Sequence, residues 1–166
     1  MTQPTIRLAT AEDMEAVNDL YNGYVLDSTC TYQEIPEPIC SRHEWFARHG
    51  AAYPVTIAEL AGRMVGWGAL SPYHSRSAYR FTVENSVYVR RECHRRGIGS
   101  AILADLIDRA QVLGYHAIIA VVDADQAGSI GLHAKLGFRE VGHFREVGLK
   151  FGRWLDVVYM EWRRGG

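Results

Sequence analysis

Apolar residues recur along the first part of the chain in two periods, one typical of strands and one typical of helices. Residues 5–9 alternate between apolar and polar, as in a half-buried strand. Thr10 and Asp13 then form a capping-box pattern, and apolar residues every three or four positions over 14–25 predict an amphipathic helix. Residues 28–38 carry two prolines among polar residues and predict a loop.

A short helix and a hairpin are predicted next. Ser41 with Glu44 is a second capping-box pattern, which predicts a helix that runs through His49. Residues 55–60 and 63–70 flank an Ala-Gly turn and predict a β-hairpin.

The centre of the chain predicts a polar loop followed by a long strand. The loop covers residues 71–78 and the strand covers residues 79–90. Because side chains alternate across a strand, the strand has two distinct faces. One face carries Phe81, Val83, Val87 and Val89, and the other carries Thr82, Glu84, Ser86 and Tyr88.

The last third predicts two helices and three strands. A helical period starts at Ile98 and ends near Gly114, and the apolar run 117–122 is typical of a strand covered on both faces. A second helix is predicted over 129–136, followed by strands over 138–149 and 154–162. The order β-α-α-β-β-β-α-β-α-β-β, without repeats or a linker, predicts a single α/β domain with a mixed sheet over the whole chain, residues 1–166.

The composition is that of an ordinary globular protein. Of the 166 residues, 48% are hydrophobic and 22% are charged, and a formal net charge of -1 argues against nucleic-acid binding, which needs a marked basic excess. The sequence has no apolar run of bilayer length and no N-terminal basic region followed by an apolar stretch. We therefore expect no membrane partner and a cytoplasmic location.

Cysteine and histidine usage points to neither disulfides nor a metal. The three cysteines, Cys30, Cys40 and Cys93, cannot all pair and have no C-x-x-C spacing. Reduced thiols are therefore expected, as is usual in the cytosol. The seven histidines are scattered without the spacing of a zinc site, so no metal is expected.

One segment has the form of an anion-binding turn. The strand residues Val87, Tyr88 and Val89 lead into a basic, glycine-containing turn that opens a helix. The first N–H groups of a helix have no partner within it and lie at the positive end of its dipole, so they bind phosphate groups readily. The residues expected to hold a pyrophosphate are Arg95, Arg96, Gly97, Ile98, Gly99 and Ser100, with Arg91 as a further source of charge. Spacing alone leaves open an ordinary strand-to-helix turn with a solvated basic face.

This turn resembles the acetyl-CoA loop of the GNAT family of N-acetyltransferases, whose pattern is Gln/Arg-x-x-Gly-x-Gly/Ala. Residues 94–99 match it except at the first position, where His94 stands. Two longer strings, T-V-E-N-S-V-Y-V at 82–89 and K-F-G-R-W-L-D at 150–156, narrow the resemblance to the phosphinothricin and methionine sulfone (sulfoximine) acetyltransferase branch. The resemblance covers most of the chain and implies a GNAT-type fold, with a mostly antiparallel central sheet flanked by helices.

The resemblance also implies a chemistry. Acetyl-CoA would be the co-substrate, an amine would attack it directly, and Glu84 would be the base that deprotonates the amine. The residues alone leave open an exposed strand glutamate with a surface contact. Backbone N–H groups along Val87–Val89 would stabilise the developing oxyanion, and Gln126 aligns with an Asn that contacts acetyl-CoA in relatives.

His133 has two possible roles. Many relatives carry a Tyr at this point that is proposed to protonate the departing CoA thiolate, and a histidine can donate a proton near neutral pH. The alternative is a partly buried helical histidine with a hydrogen bond, and both interpretations stay open.

The acceptor site is implied by the resemblance as well. Its residues would be His74, Ser75, Arg76, Glu84, Asn85 and Ser86. Arg76 is suited to bind a carboxylate or phosphinate through its planar guanidinium, although a surface loop arginine is the commoner case. Tyr32 and the turn 150–154 would close the pocket, the latter from the second subunit of a homodimer.

Three functions follow as hypotheses. The first is N-acetylation of a small amino-acid-like acceptor such as phosphinothricin, methionine sulfone or methionine sulfoximine. The second is acetylation of a protein N-terminus or a lysine, and the third is a non-catalytic acyl-CoA-binding sensor, which would need no base.

Overall fold

The computed structural model describes residues 3–166 as seven strands and four α-helices around one sheet. The strands are β1 (Thr5–Leu8), β2 (Val55–Leu60), β3 (Arg63–Pro72), β4 (Thr82–Val89), β5 (Ala117–Asp123), β6 (Arg139–Lys150) and β7 (Arg153–Arg163). The helices are α1 (Met14–Asp27), α2 (Ile39–His49), α3 (Ile98–Val112) and α4 (Ala127–Lys135).

The sheet is mixed and mostly antiparallel, as predicted. Its strand order is β1-β2-β3-β4-β5-β7-β6. The pair β4–β5 is parallel, and α3 makes the crossover that a parallel pair requires. Every other neighbouring pair is antiparallel.

Helices cover both faces of the sheet and divide the core into two clusters. On one face α3 packs against β3, β4 and β5 through residues such as Ile102 and Leu106. On the other face α1 and α2 pack through residues such as Met14, against Trp67. The predicted alternation of β4 is confirmed, because Val83 belongs to the first cluster and Tyr88 packs on the second.

Glycines in β3 allow α3 to lie close to the sheet. A Cβ atom at Gly68 would lie 2.5 Å from Ile102 Cγ2 and 3.0 Å from the Ser86 carbonyl oxygen, so no larger residue fits without a shift. Gly66 is similarly tight, with the Tyr88 carbonyl oxygen at 2.8 Å. The close packing of α3 on Gly66 and Gly68 fixes the distance of α3 from the sheet, and therefore the position of its N-terminus.

Two predicted boundaries were wrong. Helix α2 starts at Ile39 with Pro38 as its N-cap, so Ser41 lies inside the helix and caps nothing. The Pro38 carbonyl accepts the Arg42 N–H at 3.2 Å, and a proline before the first turn costs no backbone bond. Strand β4 starts at Thr82 rather than at 79, because residues 77–79 use their backbone groups in a 3-10 turn.

Strand β5 is not covered on both faces along its whole length, contrary to the prediction. Ile118 and Ala120 are buried under α3, but Val121, on the opposite face, is 39% exposed. This face of β5 borders a cleft, so the apolar run reflects a ligand-facing wall as well as a core strand.

The described residues have two further properties. No helix in residues 3–166 is both long and apolar enough to cross a membrane. In the same range no group of three His, Cys, Asp or Glu side chains is arranged to hold a metal ion, and the three cysteines carry no disulfide.

Candidate active site

The central cleft arises where two parallel strands part. Strands β4 and β5 pair from Thr82↔Ala117 to Glu84↔Ile119, and the pairing stops there although both strands continue. The edge of β4 beyond Glu84 therefore faces a gap instead of a neighbouring strand. The gap opens into a cavity of about 700 Å³ that is bordered by β4, β5, the start of α3 and one side of α4.

The turn before α3 presents backbone donors to this cleft. Gly97, the N-cap, has a φ of 80°, and Arg95 has a φ of 59°, so the chain turns through two left-handed positions before the helix. The first backbone bond runs from the Ala101 N–H to the Gly97 carbonyl at 3.0 Å. The N–H groups of Ile98, Gly99 and Ser100 precede it and have no partner within the helix. All three residues line the cleft.

Glycines also widen the side of the cleft formed by α4. Gly128 and Gly131 line the cavity, and a Cβ atom at either would meet no atom within 4 Å. Gly99 has the opposite role, because its Cβ would lie 3.2 Å from Leu132 and would push the two helices apart. The cleft is thus long, lined by free backbone groups and positive at one end, which fits a pyrophosphate followed by an extended, uncharged arm.

His94 holds the turn in place. Tyr24 Oη lies 2.7 Å from the Val89 carbonyl oxygen and 2.8 Å from His94 Nε2, and the two rings are nearly parallel. His94 therefore ties the turn to the end of β4 and to α1. This contact explains how the turn keeps its shape with a histidine at the first motif position.

Glu84 lies at the point where the strands part. Its side chain is half-buried, lines the cleft, and has no hydrogen bond or ion pair among the described residues. Burial raises the pKa of Glu84, because the charged carboxylate is poorly solvated there. A carboxyl group with these properties is suited to accept and release a proton near neutral pH.

His133 is buried and hydrogen-bonded at both ring nitrogens. It is 3% exposed, with Nδ1 2.8 Å from the Ser129 carbonyl oxygen and Nε2 2.9 Å from Asn85 Nδ2. A carbonyl only accepts and an amide nitrogen donates, so Nδ1 carries the hydrogen and Nε2 accepts. Burial lowers the pKa of His133, which favours this neutral ring. The geometry is that of a histidine that ties α4 to β4.

Comparison of the chain with known proteins identifies a family that is consistent with an acyl-CoA cleft. Residues 17–138 match the acetyltransferase (GNAT) family. The chain belongs to this family. It is 38% identical over 159 residues to the L-methionine sulfoximine/L-methionine sulfone acetyltransferase of Pseudomonas paraeruginosa, an alignment that covers 95% of this chain and 92% of the relative.

Two solved structures are similar over nearly the whole chain. The GNAT superfamily phosphinothricin acetyltransferase of Sinorhizobium meliloti, in complex with AcCoA, has a TM-score of 0.95 at 36% identity and covers 99% of this chain and 90% of its own. The ribosomal-protein-alanine N-acetyltransferase of Brucella melitensis has a TM-score of 0.94 at 36% identity and covers 96% of this chain and 99% of its own. The protein is a GNAT acyltransferase that uses acetyl-CoA.

The structure brings most of the residues predicted to bind acetyl-CoA to one GNAT cleft. Those that line it are Val87, Tyr88, Val89, Arg95, Gly97, Ile98, Gly99, Ser100 and Gln126. Arg96 is exposed and lies outside the cavity lining. Arg91 forms an ion pair with Asp27 instead of facing the cleft. Gln126 Nε2 is 3.3 Å from Thr29 Oγ1, which fixes the longer amide at the cleft wall.

The predicted acceptor residues separate into two groups. Glu84, Asn85 and Ser86 line the cleft. His74, Ser75 and Arg76 lie in an exposed loop between β3 and β4 and border neither of the two main cavities. In this chain alone they form the rim rather than the wall of a pocket.

One structural residue of the site was not foreseen. Lys150 is 1% exposed, and its Nζ donates to the carbonyls of Ser28 and Thr31 at 2.8 Å each. It thereby holds the loop 29–32, which forms part of the cleft wall. A lysine at the end of an edge strand is normally exposed, so the sequence gives no signal that Lys150 is buried. The signal comes from the structure, where Lys150 lies next to the polar loop 28–31.

Substitution of Glu84 tests how much burial of its charged carboxylate lowers the free energy of unfolding. Since its pKa is raised, the protonated form stabilises the fold, and this stability is lost as the pH rises through the raised pKa. Glutamine is neutral at every pH. We expect Glu84→Gln to match the wild type in urea unfolding near pH 4, roughly the ordinary pKa of Glu, and to exceed it increasingly towards about pH 8.

The control is Glu140→Gln, which changes an exposed strand glutamate. It should show no such pH-dependent difference. A wild type that is more stable than Glu84→Gln at about pH 8 would mean that the Glu84 carboxylate is stabilised by its surroundings, against this account.

Proposed function

We propose that this protein acetylates the α-amine of a small amino-acid-like acceptor, such as methionine sulfone, methionine sulfoximine or phosphinothricin. The observation that supports this most is the position of Glu84, a half-buried and unpaired carboxyl at the fork between β4 and β5. The names of the Pseudomonas and Sinorhizobium relatives support the acceptor class.

In this proposal Glu84 is the base. An amine reaches the site mostly protonated and becomes a nucleophile only when it loses a proton, which Glu84 accepts directly or through one water. Acetyl-CoA supplies the acetyl group as an activated thioester. The amine nitrogen bonds to the thioester carbonyl carbon, the carbon–sulfur bond breaks, and no acyl-enzyme forms. The free edge of β4 over Val87–Val89 donates backbone N–H groups to the oxygen on which charge develops.

The remaining site residues hold the co-substrate or position these groups. We propose that Arg95 and the N–H groups of Gly97–Ser100 bind the pyrophosphate, with Arg96 adding charge from outside, and that Gln126 contacts the arm of CoA. For His133 we favour a positioning role over donation of a proton to the thiolate, because the neutral ring has its only N–H bonded to Ser129.

The loop with His74, Ser75 and Arg76 would form the rim of the acceptor site. It leads directly into β4, close in sequence to Glu84 and Ser86. An exposed guanidinium at this rim would attract an anionic acceptor and would contact its far end.

We further propose that the protein works as a homodimer through the β6–β7 hairpin. Strand β6 is the edge of the sheet. The hairpin carries six large hydrophobic side chains that are each more than half exposed: Val141, Phe144, Val147, Leu149, Phe151 and Trp154. An edge strand with such a surface is typical of a protein interface. A second copy placed there would bring its 150–154 turn near an acceptor site, next to Tyr32.

We also propose a cytoplasmic location. Cys30, Cys40 and Cys93 are free thiols in the structure. Free thiols are usual in the reducing cytosol, where acetyl-CoA is at hand.

A second candidate function is acetylation of a protein N-terminal alanine. The Brucella relative, 36% identical to this chain, is named a ribosomal-protein-alanine N-acetyltransferase. The hypothesis of a non-catalytic acyl-CoA sensor is set aside, because the chain is an acyltransferase of the GNAT family and a sensor has no use for an unpaired carboxyl at the fork.

Glu84→Gln is expected to lower turnover by roughly 10²–10⁴-fold while acetyl-CoA binding is retained, since a general base typically contributes that much. The measurement is the release of CoA thiol with methionine sulfone, together with calorimetric titration of acetyl-CoA. Glu15→Gln, at an exposed glutamate of α1 that borders neither cavity, serves as the control with unchanged turnover. Unchanged turnover in Glu84→Gln would remove Glu84 from its role as base, and a protein without affinity for acetyl-CoA would contradict the whole proposal.

Arg76→Ala is expected to raise KM for anionic acceptors by roughly 10-fold or more, because a charged hydrogen bond is lost. The KM values should be measured over a panel that includes phosphinothricin, methionine sulfone, a polyamine and an alanine-terminated peptide. The same panel separates the first two candidate functions. An equal change in KM for the polyamine would count against Arg76 as an anion-binding residue.

Trp154→Asp tests the dimer. A charge within the exposed hairpin surface should convert a wild-type dimer to a monomer in sedimentation velocity at micromolar concentration, because an unpaired buried charge is costly. The control is Val112→Asp, at an exposed residue of α3 away from the hairpin. A monomeric wild type would overturn this part of the proposal.

A further inference from the structure

A second cavity, of about 380 Å³, lies on the α1 and α2 face of the sheet. Ser86 and Tyr88 border both this cavity and the acetyl-CoA cleft, so only β4 separates the two spaces at these residues. Its other walls come from the α1 and α2 helices, the loop between them and β3. A molecule in this cavity would approach the thioester from the face opposite α3.

Arg42 is a buried cation in the wall of this cavity. It is 5% exposed, and its guanidinium carbon lies 4.6 Å from the centre of the Tyr21 ring and 4.8 Å from that of Trp45. Its Nε donates to Asn18 Oδ1 at 3.2 Å. No carboxylate in residues 3–166 pairs with it, and its two terminal nitrogens have no acceptor in that range. Burial lowers the pKa of Arg42, and the nearby Glu37 carboxylate, which forms no ion pair with it, offsets this only in part.

The acidic residues that border the cavity are engaged elsewhere. Glu37 accepts a hydrogen bond from Gln33 Nε2 at 2.7 Å, and Glu44 pairs with Arg48 at 4.0 Å. Trp67 also borders the cavity, and its buried Nε1 has no acceptor among the described residues. The terminal nitrogens of Arg42 and the Trp67 Nε1 are therefore donors without an acceptor among the described residues, and an anionic ligand would supply one.

We propose that Arg42 binds the carboxylate of the acceptor amino acid. This inference rests on the proposed function and names the group by which the enzyme selects its substrate. A carboxylate at Arg42 would direct the attached amine towards Ser86, a residue that borders both the cavity and the cleft. Glu84 lies on the same face of β4, two residues from Ser86 and therefore about 7 Å along the strand, within reach of the amine through one water.

The surroundings of Arg42 suit recognition of a carboxylate over a neutral amide. The guanidinium is held by aromatic rings and by Asn18, so its planar fork is oriented before the ligand arrives. Two parallel hydrogen bonds to one carboxylate satisfy this fork, whereas an amide offers one acceptor and an additional donor. An acceptor without the carboxylate would leave a buried cation unpaired, which is unfavourable.

The test compares Arg42→Gln with the wild type on two acceptors, methionine sulfone and its carboxamide. In the wild type the acid should have the lower KM. In Arg42→Gln the KM of the acid should rise by roughly 10- to 100-fold, with kcat and the KM of the amide nearly unchanged, because one charged hydrogen-bonded pair is lost. Arg63→Gln changes an exposed arginine that borders neither cavity and should keep wild-type constants.

Arg42→Lys keeps the charge and loses the fork, so its KM for the acid should lie between those of the wild type and Arg42→Gln. Equal KM values for acid and amide in the wild type would overturn the proposal without any variant. An equal rise for both acceptors in Arg42→Gln would also overturn it and would assign Arg42 a structural role, which a lowered melting temperature would reveal.

A binding readout separates this inference from the proposed function. Trp45 and Trp67 lie next to the Arg42 guanidinium, so methionine sulfone should change their fluorescence in the wild type, and the change should be lost in Arg42→Gln. If no acceptor is acetylated but this response is present, the proposed function fails and the carboxylate site stands. If acceptors are acetylated without the response, the carboxylate site fails alone.

Discussion

The functional architecture depends on the point at which β4 and β5 stop pairing. A parallel ladder satisfies the backbone groups of both strands, and its interruption after Glu84 leaves one edge of β4 free inside the molecule. Such an edge needs a partner, and an extended ligand with polar groups supplies one. The same fork places the Glu84 carboxyl beside the gap.

The packing of α3 fixes the position of its N-terminal N–H groups at the cleft. Gly66 and Gly68 bring α3 onto β3, and Gly99 brings it close to α4. With both distances fixed, the left-handed turn at Gly97 points the first N–H groups of α3 into the cleft. His94 and Tyr24 tie this turn to the end of β4, so the donors and the fork form one rigid frame.

Lys150, Glu84 and Arg42 are withdrawn from solvent, each in a different way. Lys150 satisfies its ammonium on loop carbonyls and is structural. Glu84 has no hydrogen-bond or ion-pair partner among the described residues, so its carboxyl group is free to accept and release a proton. Arg42 has aromatic rings around it and one amide oxygen, which leaves its outer nitrogens available to a ligand. Burying a charged group costs free energy unless hydrogen bonds or an opposite charge offset that cost. Glu84 and Arg42 lack such partners, so we infer that the fold gives up stability for function at these two residues.

The sequence by itself determined the order of elements, the faces of β4 and the glycine turn before α3, because these follow from side-chain period and from the backbone freedom of glycine. Motif residues close together in the chain, such as 84–89 and 97–100, were found for the same reason. Only the tertiary structure decided that Arg42 and Lys150 are buried, that Arg96 lies outside the cleft and that His133 is bonded at both nitrogens. Those facts depend on contacts between residues far apart in sequence, such as Lys150 with Ser28, and no local pattern encodes which distant groups will meet.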